Sequence, residues 1–364
     1  MQVLLVSAYP FSHSSRGMDV LTRAFELEGW TTHHLSFPHV SYIPRLSPPT
    51  DTQVRCITPR LSWFPYVDRY MFFLPRFLFE LVRRINVRTV KGYIDFNDYD
   101  LVVLESGKAL FLLPEVPPSL AVCYRQSDSV KLALGKGRWY CQLEDDVLKR
   151  AKKIILKKPF YIDQVPEVDR KKAVVIENGM ALPESSGGPS PFPSGTHNAV
   201  YVGLHALDAY TLKLLLQELP KVDFHIVGPC LRTASRRRLK KYANYHEYLF
   251  LSKEEYMPML EHGHLAIYPF VRTKAMRWFG LTSKFLHFMY FQLPIVSYPT
   301  GLPGEFDGLP VCFAHSPGSF VSQVNDAIHK KPIDYNINFD YYSFESRMAA
   351  YRNLVKGLME ASNP

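Results

Sequence analysis

The feature that most constrains this chain is an alternation that runs from one end to the other. Short apolar runs bounded by turn residues take turns with stretches of helical periodicity. That pattern is the mark of βαβ units, in which parallel strands buried on both faces are joined by crossover helices. In the first half, strands are expected at 2–7, 31–36, 54–58, 101–105, 120–124, 153–156 and 173–177, with helices at 18–28 and 141–151. After residue 198 the alternation starts again. Strands are expected at 199–202, 223–227, 247–250, 264–268, 294–297 and 311–313, with helices at 210–218, 254–262, 283–291, 318–329 and 343–360. Ser252 and Glu255 stand at capping-box spacing before one of these helices.

Residues 183–198 are crowded with Pro, Gly and Ser and read as a linker. The chain then divides into an N-terminal Rossmann-like domain (1–182), the linker, and a C-terminal Rossmann-like domain (199–340). A last helical segment, 341–364, could cross back to the first domain. A length of 364 residues fits two domains of roughly 150 each. The fold class is α/β, two open parallel sheets, and ligands are expected outside the carboxyl ends of their strands.

Net charge is +9, which calls for anionic partners. The five cysteines lie far apart without CxxC or Cys/His ligand spacing, so neither a disulfide framework nor a zinc site is indicated. Glu144, Asp145 and Asp146 read as a solvated helix face rather than a metal site, and no metal is expected. The first residues read as a strand rather than a signal peptide, and no run reaches 18 apolar residues, so the cytoplasm is the expected compartment. A nicotinamide dehydrogenase would need a glycine fingerprint after the first strand, and the stretch from Ser7 to His13 contains no glycine.

The segment 270–296 is the most informative. Thr282 or Ser283 can cap a helix that carries Lys284 in its first turn, where the macrodipole disfavours a cation. Free N–H groups, the positive helix end and the lysine together suit a diphosphate. Arg272, Lys274 and Arg277 in the preceding loop add charge. The alternative is a solvated lysine on an amphipathic helix. Gly203 and His205 follow the first strand of the second domain, and a glycine there permits close backbone approach to a ligand or a plain tight turn. Phe250, Leu251 and Phe270, also at strand ends, join the expected nucleotide-side set.

The run Ser283-Lys284 followed by Gln292-Leu293-Pro294-Ile295-Val296 resembles the helix–turn–strand of GT-B glycosyltransferases, where it binds the donor diphosphate. More specifically, the chain resembles glycosyltransferase family 70, the membrane-associated glucuronosyltransferases of xanthan biosynthesis. The segments that carry this are 104–107, 124–128, 199–203, 224–228, 266–270 and 283–284, in that order. The resemblance implies two Rossmann-like domains facing across a cleft and inverting, metal-independent transfer. Its donor would be a UDP-sugar serving as co-substrate, with no other cofactor, and UDP-glucuronate is the first expectation. Asp128 falls on the family's catalytic base and Lys284 on the lysine that neutralises the leaving diphosphate. His287 stands where many GT-B enzymes carry a ribose-binding glutamate, so ribose recognition stays unassigned.

Aromatics interleaved with arginines between residues 60 and 91 suit a segment lying among lipid headgroups. The residues concerned are Trp63, Phe64, Tyr66, Arg69, Tyr70, Phe72, Phe73, Arg76, Phe77, Arg83 and Arg84. An ordinary core helix with a basic outer face is the alternative. His13, Arg16 and Arg125 are candidates for the acceptor's phosphates. The partners expected are a nucleotide-sugar donor, a polyprenyl-diphosphate-linked oligosaccharide acceptor and an anionic membrane surface, but not nucleic acid. Donors such as UDP-glucose or UDP-galactose, and a basic membrane-binding module without catalysis, are the competing readings.

Overall fold

The computed structural model of the chain describes residues 1–12, 16–37, 51–59, 74–132, 137–183 and 187–360. They form two compact units: Met1–Ala181 with the chain from Asp340 onward, and Leu182–Phe339.

The first unit contains strands β1 (Gln2–Ser7), β2 (Thr31–Ser36), β3 (Arg55–Ile57), β4 (Leu101–Glu105), β5 (Ala121–Gln126), β6 (Lys153–Leu156) and β7 (Ala173–Val175). They make one parallel sheet in the order β3-β2-β1-β4-β5-β6-β7. Helices α1 (Gly17–Leu27), α2 (Arg76–Lys91), α3 (Arg138–Arg150) and α9 (Phe344–Glu360) cover it. Four consecutive residues of β1, Val3 to Val6, are wholly buried because side chains alternate between two covered faces. Val3 and Leu5 join a core with Leu21 and Phe25 of α1 and Tyr351 and Val355 of α9. Leu4 and Val6 join another with Phe79 and Val87 of α2 and Val147 of α3. Residues 341–360 thus belong to the first unit, where Met180 N donates to Tyr342 O at 2.8 Å.

The second unit contains β8 (His197–Val202), β9 (Val222–Val227), β10 (Tyr245–Tyr248), β11 (Leu265–Tyr268), β12 (Ile295–Ser297) and β13 (Val311–Phe313). Their order is β10-β9-β8-β11-β12-β13, all parallel. Its helices are α4 (Ala209–Glu218), α5 (Thr233–Leu239), α6 (Lys253–Glu261), α7 (Ser283–Tyr290) and α8 (Pro317–Ala327). The Ser252–Glu255 capping box opens α6.

Three sequence expectations change. Within the expected linker, Pro183 and residues 187–198 are tied to the second unit: Phe192 lies in its core, Tyr290 Oη donates to Pro183 O at 3.0 Å, and His262 Nε2 meets Gly188 O at 3.1 Å. Helix α5 was not expected, because TASRRRL has no apolar period. Finally, α3 starts at Arg138, so Glu144 sits mid-helix and faces inward. It is buried and accepts from Tyr124 Oη (2.7 Å), Gln126 Nε2 (3.0 Å) and Val130 N (3.1 Å), fastening the loop after β5.

Candidate functional site

In the second unit, the loops after β8 and β9 lie backbone against backbone. Gly203 N donates to Val227 O at 2.9 Å and Gly228 N to Tyr248 O at 2.7 Å. Gly228 has φ +117°, a region that favours glycine, and a Cβ there would run into Gly203 O. The side chain of Lys284, from the first turn of α7, is laid on Gly203. A Cβ at Gly203 would stand 2.7 Å from Lys284 Nζ and 2.8 Å from Tyr201 Oη. Glycine is therefore demanded by backbone contact at 228, while at 203 it leaves the room that the Lys284 side chain occupies.

Among the described residues, no carboxylate or hydrogen-bond acceptor meets the Lys284 ammonium, which sits 5.9 Å from the Tyr268 ring centroid. Burial draws its pKa down to about 8, slightly opposed by the Cys230 thiol. Thr282, the N-cap of α7, makes no side-chain cap bond, and its Oγ1 is buried without a hydrogen-bond partner among the described residues. A cation taken from water without a counter-charge, at the helix end that repels it, is a local cost. An anion at this spot would relieve it. His205 is held beside the lysine by Tyr268 Oη on Nδ1, while Tyr201 Oη donates to His205 O at 3.2 Å.

The rest of the expected nucleotide-side set is dispersed. Phe250 is exposed after β10, Leu251 is half-buried, and Ser283 and His287 are half-buried on α7. Phe270, expected on the nucleotide side, is instead a buried core residue, edge-on to Tyr268 and Tyr298. Arg272 is pinned by donating to His315 O at 2.8 Å and covering the Tyr298 ring; Lys274 and Arg277 are exposed. Sequence reasoning missed Glu305. Its carboxylate accepts from Leu281 N at 2.8 Å and packs on Gly280 and Gly301, shaping the loop that enters α7. A lone glutamate in a Gly/Pro loop carries no pattern that would have singled it out.

In the first unit, the carboxyl ends of β1, β4, β5 and β6 gather a second polar group. Glu105 accepts from Ser7 Oγ (2.6 Å), Arg125 Nη1 (3.2 Å) and Ser127 Oγ. Burial alone would raise its pKa, but Arg125 and the two hydroxyls hold it below the usual carboxylate range. Arg125 also donates to Tyr351 Oη of α9 (3.1 Å) and Asn178 Oδ1 (3.1 Å), and Gly17 leaves the space its guanidinium fills. Arg125 is only 2 % exposed, so it braces the fold instead of meeting an acceptor. Asp128 stands just beyond. Its N donates to Ser106 Oγ at 3.0 Å, and its carboxylate is paired with the Lys157 ammonium. Lys157, which the sequence did not suggest, is the cation paired with this carboxylate.

Arg16 is bound to Asp19 (2.6 Å), to Pro10 O (2.7 Å) and over the Tyr9 ring; His13 lies outside the described residues. So do Trp63, Phe64, Tyr66, Arg69, Tyr70, Phe72 and Phe73. On α2, Arg76, Phe77 and Arg84 are exposed. Arg83 is buried against Glu80 (2.9 Å), Glu115 (3.0 Å) and Phe111 O (3.1 Å), which removes it from any membrane-facing set. No helix among the described residues is long and apolar enough to cross a membrane.

No protein-family model and no curated protein sequence matches the chain. Solved structures do. A sucrose-phosphate synthase from Thermosynechococcus elongatus superposes with a TM-score of 0.67 at 15 % identity, covering 99 % of this chain and 100 % of its own. HepE from Anabaena, solved with UDP and glucose, gives 0.61 at 10 %, covering 98 % and 100 %. The lipopolysaccharide outer core galactosyltransferase WaaB gives 0.60 at 12 %, covering 98 % and 99 %. The fold is GT-B. In GT-B terms the Lys284 site lies at the strand ends of the C-terminal Rossmann-like unit, and the Asp128 group at those of the N-terminal one.

Proposed function

We propose that this GT-B protein is a glycosyltransferase that takes a UDP-sugar as donor, with the diphosphate seated on Lys284, the amides opening α7 and the two glycine loops. One observation carries the reading: a lysine drawn onto Gly203 with no counter-ion among the described residues, at the start of a helix. A departing diphosphate develops charge in the transition state, and a preplaced cation and helix end stabilise it there. Asp128 would serve as base, accepting the acceptor hydroxyl's proton as that oxygen attacks the anomeric carbon from the face opposite the diphosphate, which inverts the centre. Lys157 would hold Asp128 in place until the acceptor arrives.

For the donor and acceptor, the proposal is glucuronate from UDP-glucuronate onto a polyprenyl-diphosphate-linked oligosaccharide in surface polysaccharide synthesis, on the inner face of the plasma membrane. The resemblance to family 70 and the basic, partly apolar exposed face of α2 support it. Glucose or galactose is the second reading, favoured because HepE was solved with UDP and glucose and WaaB is named a galactosyltransferase. A panel of UDP-sugars with a lipid-linked acceptor, followed by product mass, decides. Transfer with glucose or galactose and none with glucuronate overturns the donor assignment. No transfer with any donor, together with vesicle binding unaffected by Asp128→Asn, would favour a binding module instead.

A further inference from the structure

The second unit carries another cationic recess that the donor site does not use. It is a pocket of about 450 Å³ between α4 and the end of α5, lined by Tyr210, Lys213, Ser235, Arg238, Lys241 and Tyr242 among others. Neither Gly203, His205 nor Lys284 lines it. No acidic side chain lines it either. The nearby Asp208 is spent on capping α4, accepting from Tyr210 N at 3.0 Å and Thr211 Oγ1 at 2.8 Å. Glu247, at the end of β10, is engaged by Arg236 at 2.7 Å and Lys240 at 3.7 Å, outside the recess. Among the described residues, Lys213, Arg238 and Lys241 have no ion-pair partner.

Three exposed cations around one recess without a lining carboxylate make it electropositive, a field that attracts anions. Arginine's planar fork grips a phosphate with two parallel hydrogen bonds, and lysines add point charge from the sides. Tyr210, 60 % exposed, and half-buried Tyr242 also line the recess and supply ring surface for a flat or apolar body.

We propose that the pocket between α4 and α5 binds a phosphate group carried on a small body that packs against Tyr210 and Tyr242. The site is independent of the donor reading. The phosphate could belong to a soluble ester or to a lipid headgroup, and the test separates them. The full chain, Arg238→Ala/Lys241→Ala and Lys284→Ala are compared for binding of inorganic pyrophosphate by calorimetry and for retention on phosphatidylglycerol against phosphatidylcholine vesicles. Arg238 and Lys241 are exposed, and unchanged melting of that double variant confirms its fold.

The expected result is binding that persists in Lys284→Ala and weakens roughly tenfold or more in the double variant. A loss confined to pyrophosphate assigns a soluble phosphate, and a loss confined to phosphatidylglycerol assigns a headgroup. If both probes bind the double variant as they bind the unaltered chain, or neither binds the unaltered chain, the proposal is wrong. Failure of the donor reading shows separately, as UDP binding that Lys284→Ala leaves intact.

Discussion

Lys284 is charged at neutral pH only against the pull of its surroundings, and that gives its proposed role two measurable consequences. With a pKa of about 8 in the free protein, the ammonium loses its proton as pH rises through that value. UDP affinity is therefore expected to hold below pH 8 and to fall about tenfold per pH unit above it, until the pKa of the complex is reached. Calorimetry across that range checks it; an affinity flat from neutral pH to about pH 9.5 would remove the lysine from the phosphate. The second consequence concerns folding. A base whose pKa is depressed on folding destabilises the fold below its folded pKa, and the burden lifts as pH rises toward the value of the unfolded chain. Lys284→Met should accordingly stabilise the protein at neutral pH by about 1–2 kcal/mol, a figure discounted for the part of the side chain that water reaches, while abolishing UDP binding. A variant that melts higher yet binds nothing is the signature of a site residue; one that melts higher and binds UDP normally is a buried lysine with no such task. Asp128→Asn should leave UDP affinity intact and lower transfer about 10²–10⁴-fold.

At the scale of elements, the strands were legible because buried parallel strands are written as nearly unbroken apolar runs: Val3 to Val6, Leu101 to Leu104 and Leu265 to Tyr268 needed no context. Helix α5 was illegible because its polar sequence is held by tertiary contacts, Leu239 beneath and Glu247 clamping Arg236. The candidate site was legible where chemistry coincided with an element boundary, as at Lys284 and Gly203, which the structure brings together. It was not where a partner came from far along the chain: Lys157 on Asp128, or Tyr351 on Arg125. Helix α2 shows the same division. Its sequence suited either a headgroup segment or a core helix with a basic outer face, and which arginine faces out depended on Glu115, a distant residue that buries Arg83. The outward stripe is Phe77, Leu81 and Ile85, spaced four apart and 70 %, 53 % and 37 % exposed, with Arg84 and Arg88 beside it. If that stripe meets lipid, Phe77→Asp/Leu81→Asp should lower retention on anionic vesicles without lowering the melting temperature. Unchanged retention would dismiss α2 as the contact.

The chain as a whole is not two beads in series. Unit two is one continuous segment, Leu182–Phe339, which falls in the sequence between the two stretches that make up unit one. Helix α9 buries Tyr351 and Val355 against α1 and supplies the hydroxyl that Arg125 donates to, and Arg352 pairs with Glu28. Residues 1–181 alone would expose that core face and leave a buried guanidinium short of an acceptor, a loss of about 1–3 kcal/mol before the apolar area is counted. They are expected to be unstable. Residues 182–339 keep their own core and every contact of the Lys284 site described above. Produced alone, this fragment should melt cooperatively and bind UDP within about tenfold of the full chain, the margin being one interaction of about 1.4 kcal/mol. It should show no transfer, because Asp128 lies in the other unit. A folded fragment that ignores UDP while the full chain binds it would mean that the nucleotide site draws on residues of the first unit, and that Lys284 and the glycine loops do not suffice to hold the diphosphate.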